Sequence, residues 1–315
     1  MTGVGLGLAF AALVFILGAS IGSFLNVVIY RLPAGLSIVR PASRCPACET
    51  PIRARHNVPV LGWLMLRGRC AACGVAISAR YALVELAMGV LALALFADLS
   101  GGLLTAELLV SPDFLLDVAG PFVVYLTFLA GLVAITFIDL DWFIIPDGLS
   151  LPAIPLGLLA SFAAGHAVGV TWVDSLIGAA AGAGVILAVI LGYGLLTGRE
   201  GMGGGDWKLL GAIGAWLGWQ GLPFVLFAAS IQGIALTLIL GRAFAVSELP
   251  PDPAGDLVAE PVPDPAAAAP DATADATRFG QLAIPFGPFL ALAAIEYLLF
   301  REEIRGFLAS ALSFG

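Results

Sequence analysis

The stretch PFVVYLTFLAGLVAITFIDLDWFIIPDGLSLP, residues 121–152, decides how this chain folds. From Pro121 to Ile138 it carries no charge, and as a helix a run of that length crosses most of the roughly 30 Å of hydrocarbon in a bilayer. It then meets Asp139 and Asp141, turns at Pro146-Asp147 and becomes apolar again. A span that ends on acids and restarts within a few residues reads as two antiparallel membrane helices joined at one membrane face. The whole chain agrees: 60% of its 315 residues are hydrophobic, 11% are charged and the mean hydropathy is +1.02, which excludes an ordinary soluble domain.

Working outward, further apolar runs lie near residues 5–30, 81–99, 149–165, 173–197, 207–219, 221–241 and 282–300. With 121–138 they predict an all-α polytopic membrane protein of about eight transmembrane helices; the short 207–219 run, which ends near Pro223, also fits half of a broken helix. No Lys or Arg precedes Arg31, so the N-terminal run lacks the basic region of a secretory signal and is expected to stay as the first span.

Eight of the fourteen Lys and Arg residues fall between Arg31 and Arg80 against one acid, Glu49, which places that loop in the cytoplasm. Residues 100–120 hold Glu107, Asp113 and Asp117 with no base, as expected of an external loop. Counting by parity then puts 139–148 and 198–206 on the cytoplasmic side and both chain ends outside. The net charge of -8 comes largely from residues 247–278 and carries no global reading; no nucleic-acid partner is expected.

This divides the chain into a first span (1–30), a cytoplasmic four-cysteine module (31–80), a membrane core (81–245), an acidic Pro/Ala-rich loop (246–280) and a last span with the C-terminus (281–315). The acidic loop cannot bury a core and is expected to be a disordered, solvated tether.

Three constellations carry chemistry. Cys45-Pro-Ala-Cys48 and Cys70-Ala-Ala-Cys73 are two CxxC knuckles 21 residues apart. Two such knuckles supply four thiolates to a tetrahedral zinc, and a closed four-sulfur site is structural because it leaves no position for water. Disulfides fit poorly with a loop facing a reducing compartment.

The second is FIDLDWFIIPDGLSLP at 137–152, where Asp147 stands where a helix cap is expected and Asp141 where a solvated interfacial acid is expected. Asp139 is the deepest and the hardest to explain structurally, so it is a functional candidate. The third is GMGGGDWK at 201–208. It meets neither a GxGxxG nor a GxxxxGK[ST] pattern, so nucleotide binding is a weak reading. Gly201, Gly203 and Gly205 instead let a peptide backbone approach Asp206, and Lys208 either helps to position that peptide or forms a plain ion pair with Asp206.

Asp139 and Asp206, brought to one membrane face from separate helix ends, allow the division of labour of an aspartic peptidase: one carboxyl polarises the scissile carbonyl while the other activates water. Only His56 and His166 exist and the cysteines belong to the zinc reading, so Ser-His or Cys-His catalysis has little to work with. Competing readings are a cation-coupled transporter, which predicts midplane acids and repeated halves, and a non-catalytic zinc-ribbon scaffold, which leaves GMGGGDWK without a purpose.

At these residues the chain resembles the bacterial type IV prepilin peptidases. The resemblance runs through GSFLNVVIYRLP (22–33), the paired CxxC module with HNVPVLGWLMLRGRC (56–70), YALVEL (81–86), FIDLDWFIIPDGLSLP, GMGGGDWKLLGAIGAWLGW (201–219) and IPFGPFLALA (284–293). It implies an inner-membrane enzyme, active on its cytoplasmic side, that removes the leader of prepilins or type II secretion pseudopilins and then N-methylates the new terminus, with S-adenosylmethionine as methyl donor. Its catalytic acids map onto Asp139 and Asp206 and its zinc ligands onto Cys45, Cys48, Cys70 and Cys73. An enzyme with peptidase activity alone is the nearest alternative. Trp142 stands where a histidine is common, and the acidic insert is longer than expected. No Rossmann fingerprint marks a donor site.

Overall fold

The computed structural model describes residues 3–102, 111, 113–197, 203–240 and 285–313. Helix is the dominant regular structure among them: α1 (Gly3–Arg31), a one-turn α2 (Leu61–Met65), α3 (Arg80–Leu99), α4 (Gly120–Trp142), α5 (Asp147–Val168), α6 (Trp172–Thr197), α7 (Asp206–Leu217), α8 (Leu222–Leu240), α9 (Gly287–Leu299) and α10 (Arg301–Ser313). Wide π-type turns at Phe114–Ala119 lead into α4. The tether expected at 246–280 lies outside the described residues.

Six of these helices are long and apolar enough to cross a membrane, those centred on α1, α3, α4, α5, α6 and α8. The other two predicted spans are short. α7 has 12 residues and the described α9 has 13, about 18 and 20 Å at 1.5 Å per residue. The expected count of eight full spans is therefore not met by the described helices. Hydropathy alone does not separate a helix that faces lipid from one that faces protein: every residue from Leu209 to Leu217 of α7 is buried inside the bundle. By contrast Phe162, Phe227, Leu238 and Leu195 point outward at 70% exposure or more, an apolar surface suited to lipid rather than water.

Small residues set how closely the helices approach. A Cβ on Gly18 or Gly22 of α1 would lie 2.5 Å from Ala92 Cβ or 2.7 Å from Glu85 Cα on α3. α6 and α7 meet in the same way, with Gly178 against Gly214 and Gly182 against Leu210, and Ser175 Oγ donates to Ala215 O across the seam. Such seams are how helices associate where lipid removes the hydrophobic driving force. Trp216 completes the packing: its indole N–H donates to Ala153 O on α5 (2.8 Å) and its ring stacks on Phe128 of α4 at 4.8 Å.

At the end of the bundle remote from the cysteines, Arg301 donates to Asp98 of α3 (2.7 Å) and to Ala167 O of α5 (2.9 Å), tying the start of α10 to both. His166 lies in the last turn of α5, 3.5 Å from Asp117.

Candidate active site and metal centre

α4 keeps its helical hydrogen bonds to Asp139, whose carbonyl accepts from Phe143 N–H (3.0 Å), and stops where Phe143 adopts a left-handed conformation with φ 54°. Asp139 thus sits in the last turn of α4. Asp206 is the first residue of α7, after Gly205. The turn between α4 and α5 brings the two together, with Ile145 packing against the Cα positions of both Gly205 and Gly287.

Asp139 and Asp206 are 5% and 6% exposed and are the only buried carboxylates among the described residues. They are near enough for the charge of Asp206 to act on Asp139. The backbone of Gly287, at the start of α9, lies directly against the Asp139 carboxylate. Both acids therefore meet the N-terminus of a short helix, where unpaired N–H groups and the helix dipole favour negative charge.

Gly287 was not a site residue in the sequence reading. Its signal was present in IPFGPF, but a residue without a side chain shows no chemistry until its neighbours are known. A Cβ there would clash with Asp139 Oδ2. Gly287→Ala is expected to leave the helix start intact yet to lower peptide cleavage about tenfold to a hundredfold, since a displacement on the order of 1 Å costs that much in a positioned reaction. Cleavage rates at equal amounts of folded enzyme check this; an unchanged rate removes Gly287 from the site.

The remaining predicted residues fall as follows. Gly203 is close to Asp206, with an added Cβ 3.5 Å from Oδ2, and Gly205 gives its space to Ile145. Gly201 lies outside the described residues. Lys208 does not pair with Asp206; its ammonium engages Asp147. Asp147 is accordingly the first residue of α5 with Pro146 at the cap position, and makes no capping bond. Asp141 is not simply solvated: its Oδ1 accepts from Arg80 Nη1 at 2.5 Å, while Arg80 Nη2 donates to Phe137 O at 3.1 Å.

The four cysteines converge. Their Sγ atoms all lie within 4.8 Å of one another, with Cys45–Cys73 at 3.8 Å and Cys48–Cys70 at 4.0 Å. A tetrahedron with zinc–sulfur bonds of about 2.3 Å has edges of about 3.8 Å, so the donor set fits zinc. The two knuckles are built alike. Cys45 N–H donates to Thr50 O and Glu49 N–H to Cys45 O; Cys70 N–H donates to Val75 O and Gly74 N–H to Cys70 O. Glu49 and Gly74 occupy matching left-handed positions, φ 56° and 72°. Thr50, through its hydroxyl and backbone N–H, draws the pKa of the Cys48 thiol down to about 6, and the backbone N–H groups of Cys73 and Ala72 lower that of Cys70. The Val75 backbone N–H lowers that of Cys73 too, but the neighbouring thiols and burial outweigh it and push it up to about 11, so the thiols on their own share their protons unevenly. Thiolate is the form that binds metal.

Comparison with known proteins covers both parts. Residues 16–99 match the Bacterial Peptidase A24 N-terminal domain and residues 126–238 the Type IV leader peptidase family. A prepilin leader peptidase/N-methyltransferase of Aeromonas hydrophila is 38% identical over 95% of this chain and 94% of its own length. Proteins of the same name are 37% identical in Myxococcus xanthus (strain DK1622), over 93% of this chain and 91% of the relative, and 35% identical in Stutzerimonas stutzeri, over 94% and 93%. No solved structure matches. With two buried carboxylates at the ends of separate helices, a four-thiolate cluster and this likeness along its length, the chain belongs to the type IV leader peptidase family.

Proposed function

We propose that this chain removes the leader peptide from a prepilin or type II secretion pseudopilin and N-methylates the new terminus, with Asp139 and Asp206 as the catalytic pair. The observation that carries the reading is their convergence as the two buried carboxylates among the described residues. With one proton between them, one carboxyl donates a hydrogen bond to the scissile carbonyl while the other takes a proton from the attacking water. Water adds to the carbonyl carbon, the carbon–nitrogen bond breaks and the proton passes to the departing amine. The backbone of Gly287, packed against the Asp139 carboxylate, holds it in place during these steps. Gly203, beside Asp206, leaves room for an extended substrate backbone and Gly201 is proposed to do the same, whereas Gly205 makes room for Ile145; Lys208 anchors the turn before α5 through Asp147.

The eight arginines from Arg31 to Arg80 support an inner-membrane orientation with this end of the bundle in the cytoplasm. A structural zinc held by Cys45, Cys48, Cys70 and Cys73 shapes the module, and S-adenosylmethionine supplies the methyl group as an electrophile. Purified protein incubated with a prepilin and methyl-labelled S-adenosylmethionine is expected to yield a shortened pilin carrying label. An intact prepilin overturns the reading; a shortened, unlabelled product leaves a peptidase alone.

A further inference from the structure

We propose that the recess beside Arg80 and Asp141 is the methyl-donor site, where S-adenosylmethionine binds. This rests on the methyltransferase reading above and adds the residues that hold the donor. The recess, about 460 Å³, opens between the end of α1, the start of α3 and the end of α4, and Asn26, Tyr30, Ser78, Tyr81, Asp141 and Trp142 line it. That volume falls within the range of small-molecule sites.

Its lining matches the donor part by part. S-adenosylmethionine carries a flat purine, a sulfonium cation and an amino-acid end with an ammonium and a carboxylate group; the guanidinium of Arg80, which also lines the recess, suits the carboxylate. Tyr30, Tyr81 and Trp142 offer ring faces for stacking the purine and for cation–π contact with the sulfonium. Asp141 engages Arg80 through Oδ1 only, so Oδ2 is left to accept from the ammonium. Asn26 spends its amide N–H on Tyr81 O (3.0 Å), which leaves its carbonyl oxygen as an acceptor, and the Ser78 hydroxyl stands at the rim. The larger cavity of about 650 Å³, between α1 and Val58–Leu61, has an almost wholly apolar lining that includes Ala12, Phe15 and Leu93 and offers nothing to a cation.

Position agrees with chemistry. Trp142 follows Asp139 by three residues on α4, a rise of about 4.5 Å, so the recess opens within one helical turn of Asp139, one of the proposed pair that releases the new amine. In the transfer, the amine nitrogen's lone pair forms the bond to the methyl carbon and the carbon–sulfur bond breaks. Sulfur keeps that electron pair and becomes a neutral thioether, and the amine loses one proton to water. The recess lies where the region matching the N-terminal domain meets the peptidase region, so residues of both build it. Tyr and Trp also collect at membrane interfaces with no ligand to bind, and the experiment separates that role from this one.

The test uses the full-length, zinc-loaded protein in detergent without prepilin. Light-induced crosslinking of labelled S-adenosylmethionine, mapped by mass spectrometry, is expected within residues 26–30, 78–81 and 141–142. Titration with S-adenosylhomocysteine, which keeps the purine but not the sulfonium, is expected to show binding weakened about tenfold or more by Trp142→Ala and by Tyr81→Ala through lost stacking, and far less by Trp142→Phe, at unchanged zinc content. Crosslinks confined to other segments, or wild-type affinity in both alanine variants, overturn the site while leaving the methyltransferase reading standing. A wild-type protein that binds neither compound overturns both. The crosslink map needs no variant, so a misfolded mutant does not decide the outcome.

Discussion

Asp139→Asn and Asp206→Asn are each expected to abolish leader removal, by a factor of about a thousand or more, with the double variant no slower than either single one. The reason is that hydrolysis needs the carbonyl polarised and water deprotonated in one transition state, so residues acting as a unit are not additive when removed. The two carboxylates are buried at the ends of α4 and α7, and Asn is close to Asp in size, so the bundle should survive either change. Methyl transfer makes no demand on a shared proton: an amine attacks a carbon bound to a sulfonium. Either single variant is therefore expected to methylate a pre-cleaved pilin. The measurement is leader removal beside labelled methyl transfer, on membranes with equal enzyme. Substantial cleavage by Asp139→Asn would falsify the pair. Asp141 and Asp147 would then come into question, although both already have cationic partners.

The second large effect concerns the metal. Between Arg31 and Arg80 the described chain has only α2, one further helical turn at Ala54–His56 and two isolated bridges, Arg44 with Pro51 and Arg69 with Ala76. Cys45 is buried, but the module has little other apolar core, so zinc ligation is expected to contribute on the order of 10 kcal/mol to its folding. Stripping zinc with a chelator, or changing Cys45→Ser, is expected to unfold the module and expose its arginines to trypsin, while α4 to α9 stay protected. Metal analysis of the untreated protein should give about one zinc per chain. A metal-free module as resistant to trypsin as the native one would show that the thiols cluster without holding an ion.

The parts legible in the sequence are those that local pattern controls. The charge-free run from Pro121 to Ile138 became α4, the two CxxC knuckles converged, and the two acids judged least structural became the buried pair. What stayed hidden depends on distant partners. Asp141 and Asp147 looked like a solvated acid and a cap because Arg80 and Lys208 each stand 61 residues away from them. Gly287 reaches Asp139 only once α9 has packed against α4. The short helices were hidden too: hydropathy reports that α7 avoids water, while its burial by α5 and α6 depends on Gly157, Gly178 and Gly214 being small in three dimensions.

Arg80 closes the cysteine module and opens α3, and its guanidinium grips the last turn of α4 through Asp141, through Phe137 O and over the Phe137 ring at 4.9 Å. Whatever fixes the module thus also biases the helix end that carries Asp139. Such coupling runs both ways by thermodynamic necessity. If metal binding favours the docked position of that helix end, a substrate that favours the same position must tighten the hold on the metal by the same factor. A zinc ion held in that four-sulfur cage would then be an energetic partner of the distant cleavage reaction, and zinc affinity would report substrate occupancy.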